Sequence, residues 1–230
     1  LISNPDDVAC MILEPIQGEG GDNHFRHQYF KELKTLSLEN DFLLIYDEVQ
    51  TGIGITGKMW GHQSFNPKNK RYSHCLKMEP DIISFGKKTQ CCGILAGKRL
   101  DEVENHVFKE SSRINSTFGG NLVDMVRFTI YLELIEKENL VESASDKGDY
   151  LLSKLESLQQ NDPSVISNAR GKGLFCAFDL PNPKKRDELI MSMKRQGALI
   201  LGCGHKSIRF RPHLNISKDE IDQAIKMIEN

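Results

Sequence analysis

The chain has 230 residues, 39% of them apolar, and a net charge of −2. That is enough material for one large or two small domains with a sizeable core, and its charge balance points to neither nucleic acid nor a membrane surface. Apolar runs end after five or six residues, far short of a membrane span, and no secretory leader is visible, so the cytoplasm is the expected compartment.

Val8–Leu13 is an uninterrupted apolar run stopped by Glu14-Pro15, the pattern of a strand covered on both faces. A glycine-rich turn follows, Gln17-Gly18-Glu19-Gly20-Gly21-Asp22. Tyr29, Phe30, Leu33 and Leu36 then recur at helical spacing. Phe42–Tyr46 reads as a second strand and Asp81–Phe85 as a third, an order that predicts part of a parallel α/β sheet. The polar, basic stretch 66–77 between them reads as a surface loop or insertion of unassigned role.

After Gly119-Gly120 two helical stretches are expected, about 121–136 and 140–160, with Leu122, Met125, Val126, Leu151, Leu152, Leu155 and Leu158 on apolar faces. Short strands near 173–178, 198–201 and 208–210 alternate with helices near 186–196 and 218–228, which describes a small α/β layer domain. The boundary is placed near residue 125, giving domains 1–125 and 126–230. A chain that opens at Leu1, with a strand almost at once, is expected to be an N-terminally truncated piece of a longer protein.

The six cysteines (Cys10, Cys75, Cys91, Cys92, Cys176, Cys203) show no CxxC spacing and read as reduced thiols in apolar surroundings. Cys203-Gly204-His205 and His74-Cys75 are two isolated pairs on unrelated segments, so no metal site is expected.

Two strand ends carry chemistry. Asp47 closes the run Phe42–Tyr46, and Lys87-Lys88 follow Ser84-Phe85-Gly86. An acid that keeps a pyridine nitrogen protonated and a lysine that holds an aldehyde as a Schiff base are the two groups pyridoxal phosphate requires. Each has a plain alternative: Asp47 as a turn cap or surface partner, and the lysines as a solvated pair. Val49 offers an apolar contact for a flat ring and Gln50 a donor for a phenolic oxygen. Lysine at such a strand end is expected to be partly desolvated, which lowers its pKa. Spacing alone does not choose between Lys87 and Lys88.

Gly52-Ile53-Gly54-Ile55-Thr56-Gly57 matches a dinucleotide-binding pattern after a strand. Asp47 and Glu48 intervene, however, where two carboxylates would repel a pyrophosphate, so a nucleotide-binding α/β protein without pyridoxal phosphate is a remote alternative. These glycines are expected to let backbone pass close to a ligand or a second subunit. Arg209 and Arg211 fall on one face of a strand, where one or both can meet a carboxylate bidentately. Asn115-Ser116-Thr117 before a helix start offers anion-binding hydroxyls and backbone donors, or simply a turn.

Four ordered segments, Glu14–Gly21, Asp47–Gly52, Phe85–Gln90 and Ile208–Pro212, together resemble the class III (ω-amine) aminotransferases of fold-type I. Within that class, Gly93–Gly97 and Arg113–Leu122 most resemble the branch acting on the 6-amino group of L-lysine, with enzymes for 4-aminobutyrate or ornithine as alternatives. The resemblance implies an α/β fold-type I transferase, a homodimer, and pyridoxal 5'-phosphate as cofactor. It implies L-lysine, 2-oxoglutarate and L-glutamate as small-molecule partners.

It also implies residue roles. Lys87, rather than Lys88, would carry the cofactor and shuttle the proton; Asp47 would pair with the pyridine nitrogen; Val49 would pack on the ring and Gln50 would bond its phenolic oxygen. Thr117 would reach the cofactor phosphate of the partner subunit. Arg209 would clamp the α-carboxylate of 2-oxoglutarate or glutamate, with Glu19 as its switchable partner and Asn115 as a further substrate contact. The family's phosphate cup and its site for lysine's distal carboxylate would lie upstream of Leu1.

Overall fold

The computed structural model describes residues 7–65, 78–114 and 116–229. In chain order the first elements are β1 (Cys10–Leu13), β2 (Ile16–Gln17), β3 (Asn23–His24), α1 (His27–Glu39), β4 (Leu43–Asp47), β5 (Ile82–Phe85) and β6 (Gly93–Ala96). They are followed by α2 (Leu122–Lys137), α3 (Leu140–Asn161), β7 (Ser167–Lys172), β8 (Phe175–Asp179) and α4 (Pro183–Arg195). Last come β9 (Leu201–Cys203), β10 (Ser207–Phe210) and α5 (Lys218–Glu229). None of the described helices is long and apolar enough to cross a membrane.

The chain divides into two compact units. One comprises the described residues of Leu1–Pro15, Phe25–Gln50 and His62–Leu134; the other comprises those of Ile16–His24, Thr51–Gly61 and Ile135–Asn230. The second unit thus takes in two early segments that chain order alone assigns to the first.

The first unit is built on a sheet of order β1-β4-β5-β6, in which β1, β4 and β5 run parallel and β6 returns antiparallel beside β5. The parallel part follows the expectation from the apolar runs. The antiparallel edge strand β6 has no counterpart among the expected strands. Along β4, Leu44 and Tyr46 are buried and alternate with half-buried Leu43, Ile45 and Asp47. Among the described residues one face of this strand is closely packed, and in β1, expected to be covered on both faces, Cys10 and Ile12 are exposed. The packed face meets Phe30 and Leu33 of α1, with Phe65 stacked on Phe30 at 3.8 Å. Asp81, just before β5, ties this layer together: it pairs with Lys34 and Arg99, each at 3.1 Å, and accepts the Leu44 N–H at 2.7 Å. Three donors on one buried carboxylate fix the start of β4 against the start of β5.

The second unit is an antiparallel sheet of order β7-β8-β10-β9 with helices α3, α4 and α5 packed on it. Its core comprises Leu151, Leu155, Leu158, Phe178, Met193, Ile208, Ile221 and Ile225. β8 is central, and Phe175 to Phe178 are wholly buried. Two helix starts follow local rules. Asn182 accepts the Lys185 N–H at the start of α4 with Pro183 at the first helical position, and Ser217 and Glu220 form a reciprocal capping box before α5.

Within the chain, glycines of the 52–57 segment pack closely on neighbouring elements. Gly57 (φ +76°) lies against Ser145 of α3, where an added Cβ would come within 2.9 Å of the Ser145 Cβ. Gly173, at the β7–β8 turn, abuts the Thr56–Gly57 backbone, and Leu174 donates its N–H to the Ile55 carbonyl at 2.8 Å. The 56–57 backbone is thus approached closely from two sides, by Gly173 and by α3.

Candidate active site

In the first unit, the register pairs Asp47 with Ser84 across the parallel strands β4 and β5. That places Asp47 and the Gly86-Lys87-Lys88 turn at neighbouring carboxyl ends of a parallel sheet, where α/β folds hold ligands. One Asp47 oxygen, Oδ1, accepts the Val49 N–H at 3.0 Å and the Ser84 hydroxyl at 3.1 Å. Its other oxygen has no bonded partner among the described residues. The carboxylate is therefore oriented through one oxygen and available through the other.

The adjacent acid is committed elsewhere. Glu48 is buried and accepts the His62 N–H at 2.9 Å, with His62 Nδ1 at 2.8 Å from the same oxygen. Successive strand residues face opposite sides, which separates the two carboxylates.

The structure also distinguishes the two lysines. Lys88 is half-buried and donates its amine to the Gln50 carbonyl at 2.8 Å, which pins the loop after β4. Lys87 is exposed, and its amine has no partner among the described residues. The partial desolvation expected for it is not found, because it sits on a short turn past the strand end rather than on the strand. Its backbone is left-handed (φ +53°), which is costly for a residue with a Cβ and recurs at functional sites. Gly86 before it is buried; a Cβ there would meet the Cys92 sulfur at 3.1 Å and the Val49 methyls at 3.7 Å.

These groups fit pyridoxal phosphate: an acid with one free oxygen, a free amine, and a valine beside a glycine that keeps the space slim.

Thr117 lies in an exposed turn before α2 and is not brought into contact with Asp47 or Lys87. Asn121 caps that helix by accepting the Val123 N–H at 2.9 Å. Asn115, the basic stretch 66–77 and the His74-Cys75 pair lie outside the described residues.

In the second unit, both arginines on the β10 segment meet carboxylates, in different ways. Arg209 Nη1 lies 2.6 Å from a Glu19 oxygen; Arg209 is 13% exposed and Glu19 74%. Arg211 forks onto both oxygens of Asp22, which is wholly buried, and its guanidinium lies over the Phe175 ring. Burial pushes the Asp22 carboxyl up and the Arg211 guanidinium down, both against the attraction between them. Only Arg209 thus has a partner that can withdraw into water.

Three residues of this arrangement carry no local signal in the sequence: Asp22, Arg170, and Gly204, which donates its N–H to the Glu19 carbonyl at 2.8 Å. Arg170 bonds the Gly21 and Asp22 carbonyls from nearly 150 residues away, a separation that no local pattern encodes. Near it, His24 has its pKa lowered to about 4, by burial first and then by the charges of Arg170, Arg211 and Lys172.

The sheets and strand-end groups define the α/β fold-type I of pyridoxal-phosphate-dependent transferases. The family model described as aminotransferase class-III matches residues 2–230, and the chain belongs to that family. It is 48% identical over 228 residues to an L-lysine-epsilon aminotransferase of Mycobacterium tuberculosis, covering 99% of this chain and 48% of that protein. It is 36% identical over 226 residues to a 4-aminobutyrate aminotransferase of Dictyostelium discoideum, covering 95% of this chain and 43% of that one. A solved structure of the lysine aminotransferase from M. tuberculosis in the internal aldimine form superposes with a TM-score of 0.91 at 47% identity, over 99% of this chain and 50% of that one. The chain spans about half the length of the curated relatives it matches.

Proposed function

We propose that the protein carrying this chain transfers the 6-amino group of L-lysine to 2-oxoglutarate, giving 2-aminoadipate 6-semialdehyde and L-glutamate, with pyridoxal 5'-phosphate as cofactor. Supporting this are the aspartate and lysine at neighbouring strand ends and the greater identity to lysine than to 4-aminobutyrate enzymes. The observation that carries it is the pairing at Arg209: a guanidinium 13% exposed, held at one point by a carboxylate 74% exposed.

Bound pyridoxal phosphate supplies an electron sink for the charge left when a substrate carbon loses its proton. Asp47, through its free oxygen, keeps a proton on the pyridine nitrogen. Val49 packs against the ring, and the Gln50 amide donates to the phenolic oxygen. Lys87 Nζ anchors the cofactor and then moves the proton from the carbon bearing the amine. In a homodimer, Thr117 reaches the cofactor phosphate of the partner subunit. The exposed apolar side chains Phe118 and Leu122 beside it (78% and 80%) support a contact surface there.

Arg209 solves a charge problem. Lysine brings its 6-amine to the reacting centre with its carboxylate far away, so a poorly hydrated Arg209 needs a partner, which Glu19 provides. When 2-oxoglutarate binds, its carboxylate takes Arg209 and Glu19 withdraws to solvent. Asn115 is proposed as a further substrate contact. Residues 1–125 are assigned to the cofactor-binding large domain and 126–230 to the small one, and the protein to the cytoplasm.

The test is turnover by the full-length protein with L-lysine, L-ornithine or 4-aminobutyrate as donor and 2-oxoglutarate as acceptor. A yellow protein, bleached fastest by lysine, is expected. Faster turnover of 4-aminobutyrate or ornithine would replace the donor, and a colourless protein that binds a nicotinamide nucleotide would end the reading.

A further inference from the structure

The pairing of β7, β8 and β10 sets Arg170, Ala177 and Arg209 in one row. Side chains directly opposite one another share a sheet face, so the two arginines project from the same side, about 10 Å apart. Both reach the glycine-rich turn. Arg209 holds the Glu19 carboxylate at 2.6 Å. Arg170 holds the backbone of the same turn, donating from Nε to the Asp22 carbonyl at 2.8 Å and from Nη2 to the Gly21 carbonyl at 2.7 Å.

The rest of the Arg170 fork is also used. It bonds the Ser207 hydroxyl at 3.1 Å, the Asn168 carbonyl at 2.7 Å and an Asp179 oxygen at 2.8 Å. Five N–H groups and five bonds leave this guanidinium one orientation. Asp179 is fixed in turn: burial acts to raise its pKa, but bonds from Ser207, Asn168 and Arg170 outweigh that and hold it below the usual carboxylate range. The other side of the turn is pinned by Gly204, which donates its N–H to the Glu19 carbonyl at 2.8 Å. Gly204 is left-handed (φ +52°), and a Cβ there would lie 2.7 Å from the Gly21 Cα and 3.0 Å from the Gly20 carbonyl oxygen.

We propose, resting on the assignment of Arg209 to the 2-oxoglutarate carboxylate, that Arg170 is a positioning residue which, with Gly204, clamps the Gly18–Asp22 turn and thereby sets how firmly Glu19 competes for Arg209. The clamp fixes the balance between the two substrate classes: donors with no carboxylate at the reacting carbon need Glu19 in place, and α-carboxylate substrates need it gone.

The experiment uses the full-length holoenzyme and follows cofactor absorbance in single-turnover half-reactions with L-lysine and with L-glutamate. The readout is the ratio of their kcat/KM values. Arg170→Lys keeps a charge for Asp179 but loses the fork; it is expected to lower the lysine-to-glutamate ratio roughly tenfold, through slower lysine reaction with the KM for glutamate unchanged or reduced. Gly204→Ala, which displaces the turn without altering charge, should move the ratio in the same direction and serves if Arg170→Lys does not fold. Neither variant should lower the ratio further in a Glu19→Gln background.

Equal loss in both half-reactions, or an unchanged ratio, overturns the positioning role. If Glu19→Gln itself leaves the ratio unchanged, the assignment of Glu19 and Arg209 falls, and the clamp falls with it.

Discussion

In the first unit, Asp47 is held through one oxygen by a backbone N–H and a serine hydroxyl, both supplied by its own and the neighbouring strand end. In the second, Asp22 is gripped at both oxygens by Arg211, 189 residues away, and its backbone is gripped again by Arg170. The first arrangement needs only correct strand register and leaves a valence free. The second engages every donor of Arg170 and both oxygens of Asp22 on the protein itself, and leaves one exchangeable pair, Arg209 with Glu19. A group meant to take up a ligand is oriented but left unsaturated; a group meant to hold a moving part is saturated.

Substitutions in the full-length protein can break or sharpen this contrast. The largest effect is expected for Lys87→Ala, which should reduce transamination by more than about a thousandfold and abolish the aldehyde-linked absorbance while leaving the protein folded. Lys88→Ala, whose amine serves a backbone carbonyl, should cost less than about tenfold. Similar losses in the two variants would undo the distinction between them.

Asp47→Asn comes next, with kcat expected to fall on the order of a hundredfold and melting temperature little changed, since the amide oxygen can still accept from Val49 and Ser84. Asp22→Asn should do the reverse in kind. Leaving Arg211 without its counter-charge is expected to cost about 3 kcal/mol of stability, read as a lowered denaturation midpoint. If instead Asp47→Asn destabilises and Asp22→Asn does not, the contrast fails.

The smallest effect concerns pH. His24 has a folded-state pKa of about 4, below the ordinary value of 6.5, so folding disfavours its protonation. Stability is then unaffected by this group above pH 6.5 and is lost as pH falls from 6.5 towards 4. Between pH 7 and 5 the loss is expected to be about 1–2 kcal/mol. His24→Asn should flatten that part of the melting-temperature profile relative to wild type, and an unchanged slope would assign it to other groups.

Much of the first unit was legible because its signals are local. The runs before Asp47 and Lys87 end where the strands end, and the helix over 27–39 is phased by Phe30 and Leu33. In the second unit the helices were legible for the same reason, as Leu151, Leu155 and Leu158 lie in the core. The apolar periodicity of Leu122, Met125 and Val126 marks a face equally well, yet all three side chains are exposed, because periodicity says that a face is apolar and not what covers it. Strand β7 (Ser167–Lys172) was missed, since Ser-Asn-Ala-Arg-Gly-Lys has no apolar alternation. Arg170 went with it. The roles of Asp22 and Gly204 depend on partners more than 140 residues away, and only the folded chain assembles them.

Strand β7 carries one more consequence. Between Ser167 and Arg170 it has one residue more than β8 offers opposite it, and Asn168 there is left-handed (φ +53°). Were the bulge straightened with every residue kept, Ala169 would stand opposite Ala177, and Arg170 would turn to the other face of the sheet. The bulge is therefore as much a determinant as residue identity: a slip of β7 by one residue against β8 would leave every side chain of the turn at 18–22 unaltered and still take away its anchor. Insertions around 162–164, before the strand, are expected to leave that register intact.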